Sequence, residues 1–226
     1  MPIYWIIFLA FMAASWLISR QLTSRFKKYN KIPMNQGMTG KDVAEKMLRD
    51  NGIYDVEVIA VRGHLTDHYN PKNKTVNLSE NVYNGTGVSA GAVAAHECGH
   101  AVQHATAYSW LEMRSTLVPV VSFASNIVQW VLLGGILLIN IFPQLLLAGI
   151  VLFALTTIFS FITLPVEVNA SKRAIVWMKD SGVTSSDTER YAEDALRWAA
   201  YTYVIAALAS LATLAYYIMI FLGRRN

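Results

Sequence analysis

Residues 117–166 read LVPVVSFASNIVQWVLLGGILLI, then NIFPQ, then LLLAGIVLFALTTIFSFITLPV. Neither long run contains a charged residue. A helix needs about 20 apolar residues to cross the hydrocarbon core of a bilayer, and each run reaches that length. A soluble chain could bury such a hairpin in its core. Two runs of this length on so short a link fit a transmembrane helical hairpin far better. Pro119, near one end, can kink a helix without forbidding the span. The stretch predicts spans at 117–139 and 145–166 whose open ends lie side by side.

Upstream of the hairpin, residues 90–105 read AGAVAAHECGHAVQHA. The pattern is H-E-x-x-H among helix formers. On a helix His96 and His100 share one face, about one turn apart. Two imidazoles so spaced can bind one Zn²⁺ at about 2.0–2.1 Å each. Glu97 is the next residue round, placed to reach a water on that metal without ligating it. A solvated helix face is the bland alternative. The neighbours Ala94, Ala95, Ala101, Val102 and Ala105 argue instead for a buried helix. Two histidines and a carboxylate are costly there unless paired or metal-bound.

His104 continues the stripe but lies about 12 Å along the axis from His96, too far to share a tetrahedral site with both histidines. A rim role is open to it, and packing is the simpler reading. Cys98 is the chain's one cysteine, which excludes an intrachain disulfide and a Cys₄ or Cys₂His₂ site. It is expected to pack as a small apolar residue.

A catalytic zinc site of this type needs a third protein ligand. Glu112 is too far along the helix to fold back. His64, His68, Glu167, Glu189 and Glu193 remain. Glu167 is the best placed, because it follows Leu164-Pro165-Val166 at the mouth of one span while the metal helix runs into the mouth of the other. A carboxylate so close to an apolar run is costly without a function. Glu189 and Glu193 read as a solvated helix face.

The remaining chain extends the same plan. Of its 226 residues, 54% are hydrophobic and 15% charged, which is apolar for a soluble domain. Ile3 to Ser19 is uncharged, and Arg20, Arg25, Lys27, Lys28 and Lys31 follow it. A cleaved signal peptide would carry its charge before the apolar run, so residues 3–19 read as an anchor. Ala199 to Leu222 is a fourth uncharged run. The polar blocks, 20–114 and 167–198, hold every Lys and Arg except Arg224 and Arg225. The positive-inside bias places both blocks in the cytoplasm. A net charge of +4 distributed in this way points to anionic lipid and topology, with no nucleic-acid partner.

Within the first block, Thr39-Gly40-Lys41-Asp42 resembles a capping box. A helical stripe follows at Val43, Met47 and Leu48, with Gly52 ending it. Val56 to Ala60 alternates as a strand, Asn70-Pro71-Lys72-Asn73-Lys74 marks a turn, and Thr75 to Ser79 reads as a returning strand. Ser89 is the expected N-cap of the metal helix. In the second block Ser181-Gly182 stops a helix and Ser185-Ser186-Asp187 starts another. The fold class predicted is a mainly α membrane protein. It has four transmembrane helices and one cytoplasmic zincin-like metallopeptidase core, a metal helix with a small β-hairpin or sheet. Residues 1–226 read as a single domain.

Glu167-Val168-Asn169-Ala170-Ser171-Lys172-Arg173-Ala174 resembles the E-x-x-A-(D/S)-x-x-A segment of membrane gluzincins. The chain more closely resembles the YugP-type neutral zinc metallopeptidases of bacterial membranes. Leu65-Thr66-Asp67-His68-Tyr69-Asn70-Pro71, Val76-Asn77-Leu78-Ser79, Pro165-Val166-Glu167 and Ala200-Tyr201-Thr202-Tyr203-Val204 carry that likeness beside the metal helix. The resemblance implies zinc as cofactor, His96, His100 and Glu167 as ligands, and Glu97 as general base. Ser171 stands where the heat-shock membrane proteases and CAAX prenyl proteases carry an Asp that supports a ligand. Asn169 stands where an Asp is expected in many YugP-type chains.

The reading is a zinc-dependent membrane endopeptidase acting on polypeptide substrates in or near the lipid bilayer. Residues 75–79 are expected to hold extended substrate by β-augmentation. The oxyanion needs a donor besides zinc, and His68, Tyr69, Arg197, Tyr201 and Tyr203 are candidates. The bland readings are a turn residue for His68, a topology charge for Arg197 and interface anchors for Tyr201 and Tyr203. A binding or quality-control protein with a structural zinc is the rival class, against which an intact Glu97 argues. A channel is a third, disfavoured by spans without charge. Nothing in the sequence sets an oligomeric state.

Overall fold

A computed structural model describes residues 2–63 and 65–223. His64, Arg224 and Arg225, which entered the ligand and topology arguments, lie outside the described residues. The elements run α1 (Pro2–Tyr29), α2 (Gly40–Asp50), β1 (Glu57–Val61), β2 (His68–Asn70), β3 (Thr75–Ser79), α3 (Glu80–Tyr83), α4 (Val88–Ala105), α5 (Ser109–Leu137), α6 (Pro143–Asp180) and α7 (Ser186–Gly223). Four helices, at Trp5–Tyr29, Ser109–Leu137, Pro143–Asp180 and Ser186–Gly223, are long and apolar enough to cross a membrane. Each is longer than its uncharged run, because helix-forming polar residues carry it on. The helix starting at Ser186 continues through the fourth run without a break. The chain divides into two compact units.

The first unit holds residues 2–17, 112–164 and 202–223. Val128, Leu132, Leu146 and Ile150 form its small core. A Cβ on Gly135 would stand 2.5 Å from the Cα of Leu146, so only glycine admits this helix approach. Thr157 and Ser210 hydroxyls meet at 2.7 Å between helices. Phe123, Trp130 and Leu137 are largely exposed, a surface suited to lipid rather than water.

The second unit holds residues 18–111 and 165–201. Its core gathers Val43, Met47 and Leu48 of α2, Val76 and Leu78 of β3, Ala94, Ala95 and Cys98 of α4, and Ala174 and Met178 of α6. The expected capping box is present: the Thr39 side chain accepts from the Asp42 N–H, and Asp42 accepts from the Thr39 N–H. The helix ends at Asp50, and Gly52 takes the left-handed φ of 71° that follows it. Gly182 does the same after α6, at φ 69°.

The sheet order is β1-β3-β2, with β1 parallel and β2 antiparallel to β3. The Asn70 side chain caps the turn by accepting from the Lys72 N–H, which returns β2 into β3. The structure departs from expectation at two points. Residues 75–79 form a strand as read, but it is the central one and fully buried. Both of its edges are used, so it cannot take an added strand. Ser89 is not the N-cap of α4: Gly87 is, at φ −82° and ψ 155°. A Cβ on Gly87 would press 2.2 Å from the carbonyl oxygen of Asn30. That crossing brings the helix start forward, and the Ser89 hydroxyl instead donates to the Phe26 carbonyl.

Candidate metal centre

The second unit brings α4 and the Pro165–Asp180 half of α6 into backbone contact. A Cβ on Gly99 would lie 2.6 Å from the carbonyl oxygen of Ala170. Gly99 is the fourth residue of the H-E-x-x-H stretch, and Ala170 lies between Glu167 and Ser171. The close approach therefore sets one turn of α4 against one turn of α6.

Across that contact, ligand atoms of His96, His100 and Glu167 all lie within 4.8 Å of one another. His96 Nε2 is 3.3 Å and His100 Nε2 3.6 Å from Glu167 Oε2. The two rings stand edge to face, centroids 4.8 Å apart. Glu97, His100 and Glu167 are buried, and His96 is partly so.

Both imidazoles are oriented from behind. His96 Nδ1 is 3.0 Å from the Ser171 hydroxyl. His100 Nδ1 is 3.0 Å from Gln103 Oε1. Gln103 is fully buried, and its amide nitrogen donates to the Val166 carbonyl and to Asn169 Oδ1. Asn169 Oδ1 also accepts from Arg173 Nε at 2.8 Å. With each Nδ1 engaged, each Nε2 is the nitrogen turned to the carboxylate.

Glu97 stands apart from the cluster. Its Oε2 accepts the backbone N–H of Tyr69 at 3.0 Å, from the edge strand β2. Burial draws His100 down in pKa. The bond with Glu167 and the charges of Glu97 and Glu167 more than offset this, so the imidazole sits above its ordinary value. The pocket thus favours positive charge. Burial pushes the Cys98 thiol far up, and its Sγ rests on the Ala44 carbonyl, as an inert packing residue should.

The donor set fits zinc. Ligands at about 2.0–2.1 Å in a tetrahedron stand roughly 3.4 Å apart, close to the two nitrogen–oxygen separations here. Two nitrogens and one carboxylate leave the fourth position for water or substrate.

The comparisons agree with this chemistry. The family described as "Putative neutral zinc metallopeptidase" matches residues 4–222. The chain belongs to that neutral zinc metallopeptidase family. It is 44% identical over 218 residues to a protein of Bacillus subtilis (strain 168) described as "Putative membrane protease YugP", covering 96% of each chain. No solved structure matches it.

The other residues singled out in this family member lie as follows. Tyr69 is half-buried, and its hydroxyl meets His104 Nδ1 at 2.8 Å, which gives His104 a partner beyond packing. His68 is exposed, with Nδ1 against the Thr66 carbonyl. Arg197 is exposed and reaches Asp194 at 3.5 Å. Tyr201 is exposed and packs edge-on to Trp198. Tyr203 belongs to the first unit and is exposed. Glu189 binds Lys179, and Glu193 is exposed, as a solvated face implies. Gln103 was missed as a supporting residue. The available signal was a polar residue one turn after His100, directly behind Ala101 and Val102.

Proposed function

We propose that the chain is a zinc-dependent endopeptidase of the bacterial cell membrane, its residues acting as one integral-membrane enzyme with the active site at the cytoplasmic face. His96, His100 and Glu167 hold the metal and Glu97 is the general base. The observation that carries this reading is the meeting of three ligand atoms within 4.8 Å beside a second, separately held carboxylate, that of Glu97. A zinc ion bound there polarises the scissile carbonyl and makes water acidic enough to be deprotonated near neutral pH.

Glu97 takes the proton of the attacking water and passes it to the leaving amine. The Tyr69 N–H fixes one of its oxygens and leaves the other for that proton. Ser171 and Gln103 hold the two imidazoles so that neither ring must reorient. His68, Tyr69, Arg197, Tyr201 and Tyr203 remain the candidates for contacting substrate or the oxyanion. Tyr69 is the best supported, through its link to Glu97. The cytoplasmic assignment rests on the Lys and Arg of the polar blocks.

The test is purified protein with unstructured casein. Chelation should abolish cleavage and zinc should restore it. Glu167→Ala should lose most of the metal, whereas Glu193→Ala should keep one zinc per chain. The reverse metal pattern moves the third ligand elsewhere.

A further inference from the structure

The sheet has two edges, and only β2 borders Glu97. The opposite edge is β1. The Glu57 N–H is spent on the Lys74 carbonyl, and the parallel register pairs Glu57 with Thr75 and Ile59 with Asn77. In such a ladder alternate residues bond to the neighbour. Glu57, Ile59 and Val61 therefore face β3, and the N–H and C=O groups of Val58 and Ala60 face outward. Natural sheets blunt a free edge with proline, a bulge or a covering segment. β1 carries no proline, and its register with β3 runs without a bulge; along it Ala60 is exposed while Val58 is buried.

A cavity of about 490 Å³ runs along this edge, lined by all of Glu57–Ala60. Its far wall is the α2 stripe Lys41, Glu45 and Arg49, and Tyr54, 81% exposed, stands at its rim. An outward-facing backbone ladder beside a groove is matched by another extended backbone. The α2 wall alternates in charge, Lys41 and Arg49 each lying within 4.0 Å of Glu45, so it suits a polar, mixed chain rather than a lipid tail.

We infer that the β1 edge and the groove beneath α2 form a second binding site, which takes an extended, unfolded segment of polypeptide as an added strand. Its occupant, the unfolded part of a substrate, rests on the peptidase reading above. Main-chain hydrogen bonds to Val58 and Ala60 supply sequence-independent affinity, and the groove accepts alternate side chains. The site holds a loose chain on the sheet edge opposite Glu97.

The experiment is binding of fluorescein-labelled, unfolded casein to full-length Glu97→Gln protein in detergent, read by anisotropy. Ala60→Pro removes an outward N–H at an edge position where proline leaves the ladder to β3 intact. It should weaken casein binding about tenfold, the worth of one or two backbone hydrogen bonds. Tyr54→Ala paired with Arg49→Glu changes the rim and the α2 wall, breaking the Arg49–Glu45 pair, and leaves β1 untouched; it should weaken binding severalfold, which keeps the test decisive should the proline variant misfold. Unchanged binding in the groove variant overturns the inference, and so does absence of casein binding to the parent. Light scattering that finds a dimer converted to monomer by Ala60→Pro also overturns it, because the edge then pairs with a second copy. Binding needs no turnover. Cleavage with β1-independent binding removes this site and leaves the peptidase. β1-dependent binding without cleavage does the opposite.

Discussion

The backbone of Gly99 meets the backbone of Ala170 so closely that a Cβ would stand 2.6 Å from the Ala170 carbonyl oxygen and 3.1 Å from its Cα. No flexible side chain lies there to give way. Gly99→Ala must push α4 from α6, and these are the helices that carry the two histidines and Glu167. The expected result is loss of metal retention together with about 1–3 kcal/mol of stability, the usual cost of overpacking. Metal analysis and thermal unfolding measure both. Gly134→Ala is the control, since its Cβ would meet only the end of the Leu145 side chain, at 3.3 Å. It should leave the metal unchanged.

Gln103 serves three partners at once: His100, Val166 and Asn169. Gln103→Leu keeps the bulk and removes every polar contact. Zinc affinity should fall about 10–100-fold, as is typical when a residue behind a ligand is lost. Competition with a chromophoric chelator gives the number. Gln103→Glu restores the acceptor for His100 and should recover part of the loss. Equal affinity in all three proteins means that Gln103 merely packs.

Much of this arrangement is legible in the sequence where one local pattern decides it. The two uncharged runs announce long helices by length alone. The His96–His100 spacing fixes a shared face, and the place of Glu167 directly after an uncharged run marks it as a candidate ligand. Thr39 and Asp42 cap α2 through groups three residues apart. What escapes depends on neighbours distant in the chain. Strand β2 is only three residues long, too short for any alternation to register, and it exists because β3 and Asn77 receive it. Gly87 displaces Ser89 as the cap because Asn30, far earlier in the chain, crosses there. The burial of Gln103 depends on α6. The centrality of β3 could not be read from residues 75–79, since a buried strand looks the same in the middle of a sheet as beside one partner.

The proposed cytoplasmic placement of both polar blocks has its own check. Lys72, in the β2–β3 turn, and Lys179, in the last turn of α6, are exposed. Each is replaced in turn by cysteine; Cys98 is buried and should stay silent. Membrane-impermeant maleimide should label neither site in intact cells and both after lysis. Labelling of either from outside reverses the topology.

The central claim is that Glu97 serves as the base while three other residues hold the metal. Glu97→Gln conserves shape and can still accept the Tyr69 N–H, so the fold and the ligands should survive. Losing a general base typically costs about 10²–10⁴ in rate. The decisive measurement is bound zinc and casein turnover on the same preparations of parent and Glu97→Gln protein. Both proteins should carry one zinc per chain, with turnover lower by that factor in the variant. Parental turnover in the variant, or loss of its zinc, contradicts the central claim.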